Sequence, residues 1–314
     1  MTDQRDIRIG WIGLGEMGLG MAINLQKYLA SHSSYLTVWN RSPGKTDSVQ
    51  ELGAHVASSL EDLVSKNNVI FTSLSNDAAV ENVYSQLFEL ASKIQEPIIF
   101  VESSTIHPSV ATKNAEQLAY SQHSYLQCPV FGRPPAAHAA QLVWVTSGNA
   151  EAIQKLNPYF ASMSKSTIDL KTTNVGTASS FKLIGNFFIV GTIELLAEGL
   201  SLAEKVDIDQ QAILKFIEAF FPTPSWIGYS QKMADRSTSK AGGFTVDLGL
   251  KDVGHMRRLA ADNGAVLPTA DLAHKHLTVL KDQGKGDQDW SSLINVLRGA
   301  PATGSESAPA PNPC

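Results

Sequence analysis

Residues 7–18, Ile-Arg-Ile-Gly-Trp-Ile-Gly-Leu-Gly-Glu-Met-Gly, carry a short apolar run straight into Gly13-x-Gly15-x-x-Gly18. Met17, Met21, Ala22 and Leu25 then recur at helical spacing. Few folds need three glycines so spaced between a strand and a helix. Gly13 permits the tight turn, Gly15 lets backbone approach a pyrophosphate, and Gly18 lets the helix lie close to the strand. The helix start adds free N–H groups and the positive end of its dipole. Tight structural turns share this glycine pattern; the strand before it and the helix after it point to a dinucleotide. Gly13, Leu14, Gly15, Glu16, Met17 and Gly18 are the expected phosphate turn.

Further apolar runs alternate with helical stretches: Tyr35–Trp39, Val69–Ser73, Ile98–Glu102, Ser124–Gln127, Leu142–Thr146 and Thr167–Asp169. Val- and Ile-rich strands alternating with helices predict an α/β domain, a mainly parallel sheet covered on both faces, over residues 1–173. From Gly176 to Val206 there is no proline and the helical pattern is nearly continuous, with Phe181, Ile184, Phe187, Phe188, Gly191, Leu195 and Leu202 as a broad apolar surface. Helical segments follow at Gln210–Phe221, Trp226–Asp235, Asp247–Asn263, Thr269–Gln283 and Asp289–Arg298. An all-α domain over 174–298 and a tail over 299–314 are therefore expected, with the long helix joining the two domains.

A net charge of −5 argues against nucleic acid as a general partner. No uninterrupted apolar run reaches the roughly 18–20 residues that span a bilayer, so no membrane partner is expected. A first strand starting near Ile7 leaves no room for a leader, and Cys128 and Cys314 suggest no disulfide framework. The expected location is cytoplasmic.

The second strand ends Val38-Trp39-Asn40-Arg41-Ser42. An acidic residue there would accept both adenosine ribose hydroxyls and select NAD. Neutral Asn40 does not repel a 2′-phosphate, Arg41 offers forked donors to one, and Ser42 adds a hydroxyl. The expected cofactor is NADP; the plainer reading is a turn with a solvated arginine.

Lys182 and Asn186 lie four apart at the start of the long helix and share a face. Helical lysines are ordinarily solvated. Phe181, Ile184 and Phe188 are expected to bury this one, which would lower its pKa and suit it to general acid–base work. Scattered histidines, with His274 and His276 two apart on a helix, suggest no metal site.

Taken together, these residues resemble the β-hydroxyacid dehydrogenase family, near the 3-hydroxyisobutyrate dehydrogenases and related to 6-phosphogluconate dehydrogenase and imine reductases. The resemblance spans residues 7–298. It rests on Gly13–Gly18 with Met21–Leu25, Leu74-Ser75, Glu102-Ser-Ser-Thr-Ile-His-Pro108, Lys182 with Asn186, Gly243-Phe244 and Leu250-Lys251-Asp252. It implies an N-terminal Rossmann doubly wound domain, an all-helical second domain, and a homodimer or homotetramer built around the long helix. It also implies Lys182 and Asn186 as catalytic, Leu74, Ser75, Thr105 and Lys251 toward the cofactor, and Ser104 toward a small-molecule substrate. Without the resemblance, Lys251-Asp252 reads as an exposed charged pair and His107 as a helix-start residue.

The family's substrate loop reads Asp-Ala-Pro-Val-Ser-Gly-Gly; here it reads Gln127-Cys-Pro-Val-Phe-Gly-Arg133. Phe131 removes a carboxylate-binding hydroxyl, and Arg133 replaces a glycine. Phe131, Gly132 and Arg133 are still the expected substrate loop. Two readings of Arg133 stand side by side: a guanidinium that holds a carboxylate, and a side chain turned to solvent. The reaction expected is hydride transfer between NADP and a small β-hydroxy acid or its aldehyde or keto acid. Imine reduction is an alternative that Lys182 disfavours. A non-catalytic cofactor-binding assembly module is another, set against by the retained lysine and the short tail.

Overall fold

The structure is a computed structural model that describes residues 7–238 and 244–299. Gly243, Cys314 and the tail beyond Gly299 lie outside the described residues. Contacts divide the chain into two compact units, Met1–Asn186 with His255–Val266, and Phe187–Gly254 with Leu267–Cys314.

The first unit runs β1 (Ile9–Ile12), α1 (Glu16–Ser31), β2 (Leu36–Trp39), α2 (Asp47–Gln50), β3 (His55–Val56), α3 (Leu60–Lys66), β4 (Val69–Thr72), α4 (Asp77–Ala91), β5 (Ile99–Glu102), α5 (Pro108–Gln117) and β6 (Ser124–Gln127). These strands form one parallel sheet in the order β3-β2-β1-β4-β5-β6. The order reverses between β1 and β4, and in such sheets ligands bind beyond the strand ends at that switch point.

Side-chain alternation along β1 explains why both faces are covered. Ile9 and Trp11 join the cluster with Met21, Leu25, Phe71, Trp144 and Phe160, whereas Ile12 joins Leu63, Ile70, Tyr84 and Phe100 on the other face. A second sheet follows: β7 (Val130–Phe131), α6 (Pro134–His138), β8 (Leu142–Thr146), α7 (Ala150–Ser162) and β9 (Ser164–Asp169), with β7 antiparallel and β9 parallel to the central β8. The two-residue strands β3 and β7 escaped the sequence reading, because two residues show no alternation to detect.

Helix α8 (Gly176–Lys205) belongs to both units, and α9 (Gln210–Phe220), α10 (Pro224–Ala234), α11 (Val246–Asp262), α12 (Pro268–Asp282) and α13 (Ile294–Gly299) complete the helical C-terminal region. The last expected helix begins instead as a 3-10 turn, Trp290–Leu293. Within the second unit, Glu194 pairs with His276 Nδ1 at 2.6 Å, and Lys232 with Asp289 at 2.7 Å.

Among the described residues α8 is the one helix long and apolar enough to cross a membrane. Charged and amide residues such as Lys182, Asn186, Glu194 and Glu198 interrupt it, so a search for unbroken apolar runs passes it by. Of its most apolar stretch, 44% is buried in the protein.

Candidate active site

The glycine turn is fixed by backbone. Gly13 has φ +96°, and a Cβ there would lie 2.1 Å from the Ser73 carbonyl oxygen. A Cβ on Gly18 would lie 2.1 Å from the Gly13 oxygen, which the Trp11 indole N–H also approaches at 3.0 Å. Gly15 differs: nothing stands within 4 Å of its built Cβ. Helices α3, α4 and α7 are each capped by a side chain, from Ser59, Asn76 and Asn149, whereas Gly15 caps α1 with none. An open approach to an uncapped helix start fits the pyrophosphate of a dinucleotide. Glu16 is exposed, Met17 half-buried, and Leu14 buried beneath the turn.

Asn40 has a structural task that its sequence position did not reveal. Its Oδ1 accepts from Leu14 N at 2.9 Å, and its Nδ2 donates to Ser42 O at 2.9 Å. The residue thus ties the glycine turn to the end of β2. Arg41 and Ser42, just beyond, are exposed.

A buried polar chain lies beneath the next two loops. Leu74 N donates to Ser104 Oγ at 2.7 Å, Ser104 N donates to Glu102 Oε1, and Thr72 Oγ1 donates to Glu102 Oε2 at 2.8 Å. Ser104 is buried, with its oxygen engaged by the Leu74 amide, while Thr105 is half-buried and Ser75 exposed. Glu102 sits in the quoted motif, yet no role for it was legible. Burial raises its pKa from 4.5 to about 7 against the lowering effect of the Ser104 and Thr72 hydrogen bonds. Tyr84, Tyr125 and Cys128 around it are also pushed well up by burial.

Because the folded value of Glu102 lies above 4.5, its contribution to stability is complete below that pH and is lost as pH rises through about 7. Raising pH from about 5 to about 8 should cost on the order of 3 kcal/mol from this group. Glu102→Gln should flatten that part of the profile in thermal melts across pH; an unchanged profile would refute the assignment.

His107 caps α5, with its Nδ1 2.8 Å from Ser109 Oγ. Burial, then the nearby Arg258 cation, lower its pKa.

Lys182 is 7% exposed, and its Nζ donates to Asn186 Oδ1 at 2.9 Å. The expected shelter is wrong: Phe181, Ile184 and Phe188 are 37%, 52% and 66% exposed. At about 100° per residue they lie roughly 100–160° around the helix from Lys182, as do Leu195 and Leu202. The lysine's face carries Gly185 and Asn186, and a residue from strand β7 covers it. The Phe131 ring centroid stands 4.2 Å from Nζ, and its edge rests on Gly185, where a Cβ would come within 2.3 Å. Gly132, at φ +136°, and Arg133, the first residue before α6, are exposed.

In the second unit Lys251 Nζ lies 3.2 Å from Asp252 Oδ1. Asp252 is fully buried and the Lys251 side chain is 19% exposed, so the pair is not an exposed one.

Comparison with known proteins adds an independent line. A model described as the NAD binding domain of 6-phosphogluconate dehydrogenase matches residues 8–176, and one described as NAD-binding of NADP-dependent 3-hydroxyisobutyrate dehydrogenase matches 176–297. An uncharacterized oxidoreductase of Bacillus subtilis is 33% identical over 93% of this chain and 100% of its own length. An NADH-dependent oxidoreductase of Aspergillus ustus is 30% identical over 90% of this chain and 96% of its own length. A solved 3-hydroxyisobutyrate dehydrogenase from Salmonella typhimurium shares the fold with TM-score 0.80 at 22% identity, covering 93% of this chain and 100% of that one. An imine reductase from Pseudomonas sp. does so with TM-score 0.60 at 19% identity, covering 93% and 99%.

Proposed function

The chain belongs to the β-hydroxyacid dehydrogenase family of NAD(P)-dependent oxidoreductases, and from that premise we propose that it moves hydride between NADP and a small β-hydroxy acid or the matching aldehyde or keto acid, with Lys182 as general acid and base. The observation that carries the reading is the buried Lys182 Nζ held 2.9 Å from Asn186 Oδ1, within the unit built on the glycine turn. A bound nicotinamide would supply the hydride for reduction and accept it in oxidation. Lys182 gives a proton to the substrate oxygen as the carbonyl becomes an alcohol, and takes one in the reverse direction. Asn186 orients the amine. The Gly13–Gly18 turn binds the pyrophosphate.

The cofactor choice rests on Asn40-Arg41-Ser42. Asn40 is neutral and committed to the turn, and exposed Arg41 and Ser42 leave donors for a 2′-phosphate. The relative named NADH-dependent pulls the other way, so the test is direct. Wild-type protein should favour NADPH over NADH at least about tenfold in kcat/KM. Arg41→Ala should erase most of that margin by losing NADPH alone, since one charge-assisted contact is worth about 1.5–3 kcal/mol. Equal use of both cofactors by the wild type would overturn the assignment.

We take residues 1–173 as the cofactor domain and 174–298 as the substrate and assembly domain. The exposed stripe Ile184, Phe188, Leu195 and Leu202 along α8 supports a homodimer or homotetramer. One feature favours imine reduction as a second reading: Phe131 stands where a hydroxyl would bind a carboxylate. Lys182 weighs against it.

A further inference from the structure

We propose that Phe131, seated on Gly185 and over Lys182 Nζ, sets substrate choice: the site prefers carbonyl compounds bearing an apolar, planar substituent to those bearing a carboxylate. The inference rests on the hydride transfer and the Lys182 role proposed above, and departs from that reading in the substrate, where an apolar, planar group takes the place of the hydroxy acid's carboxylate.

Four contacts hold the ring. Its backbone pairs in β7 with Val143 of β8. Its edge lies against Gly185, where a Cβ would come 2.3 Å from Cζ and 2.4 Å from Cε1. Its face looks at the Lys182 nitrogen, 4.2 Å from the centroid. Phe181 packs edge-on to it at 6.2 Å and 70°. Phe131 is half-buried and Phe181 is 37% exposed, so the aromatic pair keeps exposed surface, and one of its two rings touches the amine.

Such a wall treats two kinds of carbonyl compound differently. A carboxylate brought out of water needs donors to replace its hydration. Phe131 offers none, and its electron-rich face repels an anion while attracting the ammonium. A flat apolar group meets the opposite case, because stacking on the pair buries apolar area with no polar atom left unpaired. Lys182 is thereby left to the carbonyl oxygen. Arg133, two residues on and exposed, is the remaining cation of the loop; were it to hold a carboxylate, acidic substrates would win the comparison below.

The experiment compares benzaldehyde with succinic semialdehyde as substrates of the full chain with NADPH. The wild type should favour benzaldehyde at least about tenfold in kcat/KM, the scale of a modest pocket change. Phe131→Ser should bring the ratio to one or invert it. Gly185→Ala should move it the same way by unseating the ring. Melting temperature and NADPH affinity report whether each variant is folded. A wild type that favours succinic semialdehyde, or a ratio indifferent to Phe131→Ser, overturns the proposal. If neither aldehyde turns over, calorimetry with benzamide and succinate on the NADPH-loaded protein decides. Benzamide binding that depends on Phe131 keeps the specificity and defeats the reaction; succinate binding, or no binding of either, defeats the specificity.

Discussion

Replacing Lys182 with alanine should lower kcat by about 10²–10⁴-fold, the range that a positioned acid–base group contributes, while leaving the NADPH dissociation constant within about twofold. The split follows from where the amine sits. Lys182 points at Asn186 and the Phe131 ring, whereas the proposed pyrophosphate site is the Gly13–Gly18 turn. Truncation removes the donor that Asn186 Oδ1 has at 2.9 Å, a loss of about 1–3 kcal/mol if nothing replaces it. A small drop in melting temperature is thus expected and does not explain a collapse in rate. Added methylamine separates the two roles: a missing proton donor is partly restored by a small amine, and a packing defect is not. Near wild-type turnover in Lys182→Ala would remove the lysine from the chemistry.

The second large effect divides the three glycines. Gly13→Ala places a methyl 2.1 Å from the Ser73 carbonyl oxygen at φ +96°, and Gly18→Ala places one 2.1 Å from the Gly13 oxygen. Both neighbours are backbone, so neither can turn aside. Each change should cost roughly 2–4 kcal/mol, or roughly 3–6 °C in melting temperature for a chain of this size. Gly15→Ala should behave in the opposite way. Gly15 sits at φ −70° and ψ −178°, a conformation open to alanine, and nothing lies within 4 Å of the new methyl. The variant should melt like the wild type and bind NADPH at least about 100-fold more weakly, because the methyl takes the space of the pyrophosphate. A Gly15→Ala protein with undiminished cofactor affinity would refute the assignment of this turn.

What the sequence revealed of the fold tracks the length of each pattern. β1, β2, β4, β5, β6 and β8 stand within two residues of their apolar runs, since runs of four or five residues with at least three of them buried leave a clear mark. β3 and β7 do not, and β7 is the strand that presents Phe131. The Lys182–Asn186 contact was legible because helical spacing alone brings positions four apart together. The covering of that lysine was not, because apolar neighbours in sequence were taken for neighbours in space. Phe181, Ile184 and Phe188 lie on the exposed side, and the covering ring comes from β7. Glu102 failed to stand out for a related reason. A carboxylate ending a strand looks solvated until Tyr84, Thr72 and Tyr125 are known to enclose it.

The seat of Phe131 on Gly185 also constrains the order in which this site can change over generations. A methyl enters at position 185 only by displacing the ring from its seat, since it would fall 2.3 Å from Cζ. Once position 131 shrinks to serine, the three nearest atoms that such a methyl would meet are gone. The reverse order passes through an overpacked intermediate. The two positions are therefore coupled: a side chain at 185 fits without displacing the ring only after position 131 has given the ring up.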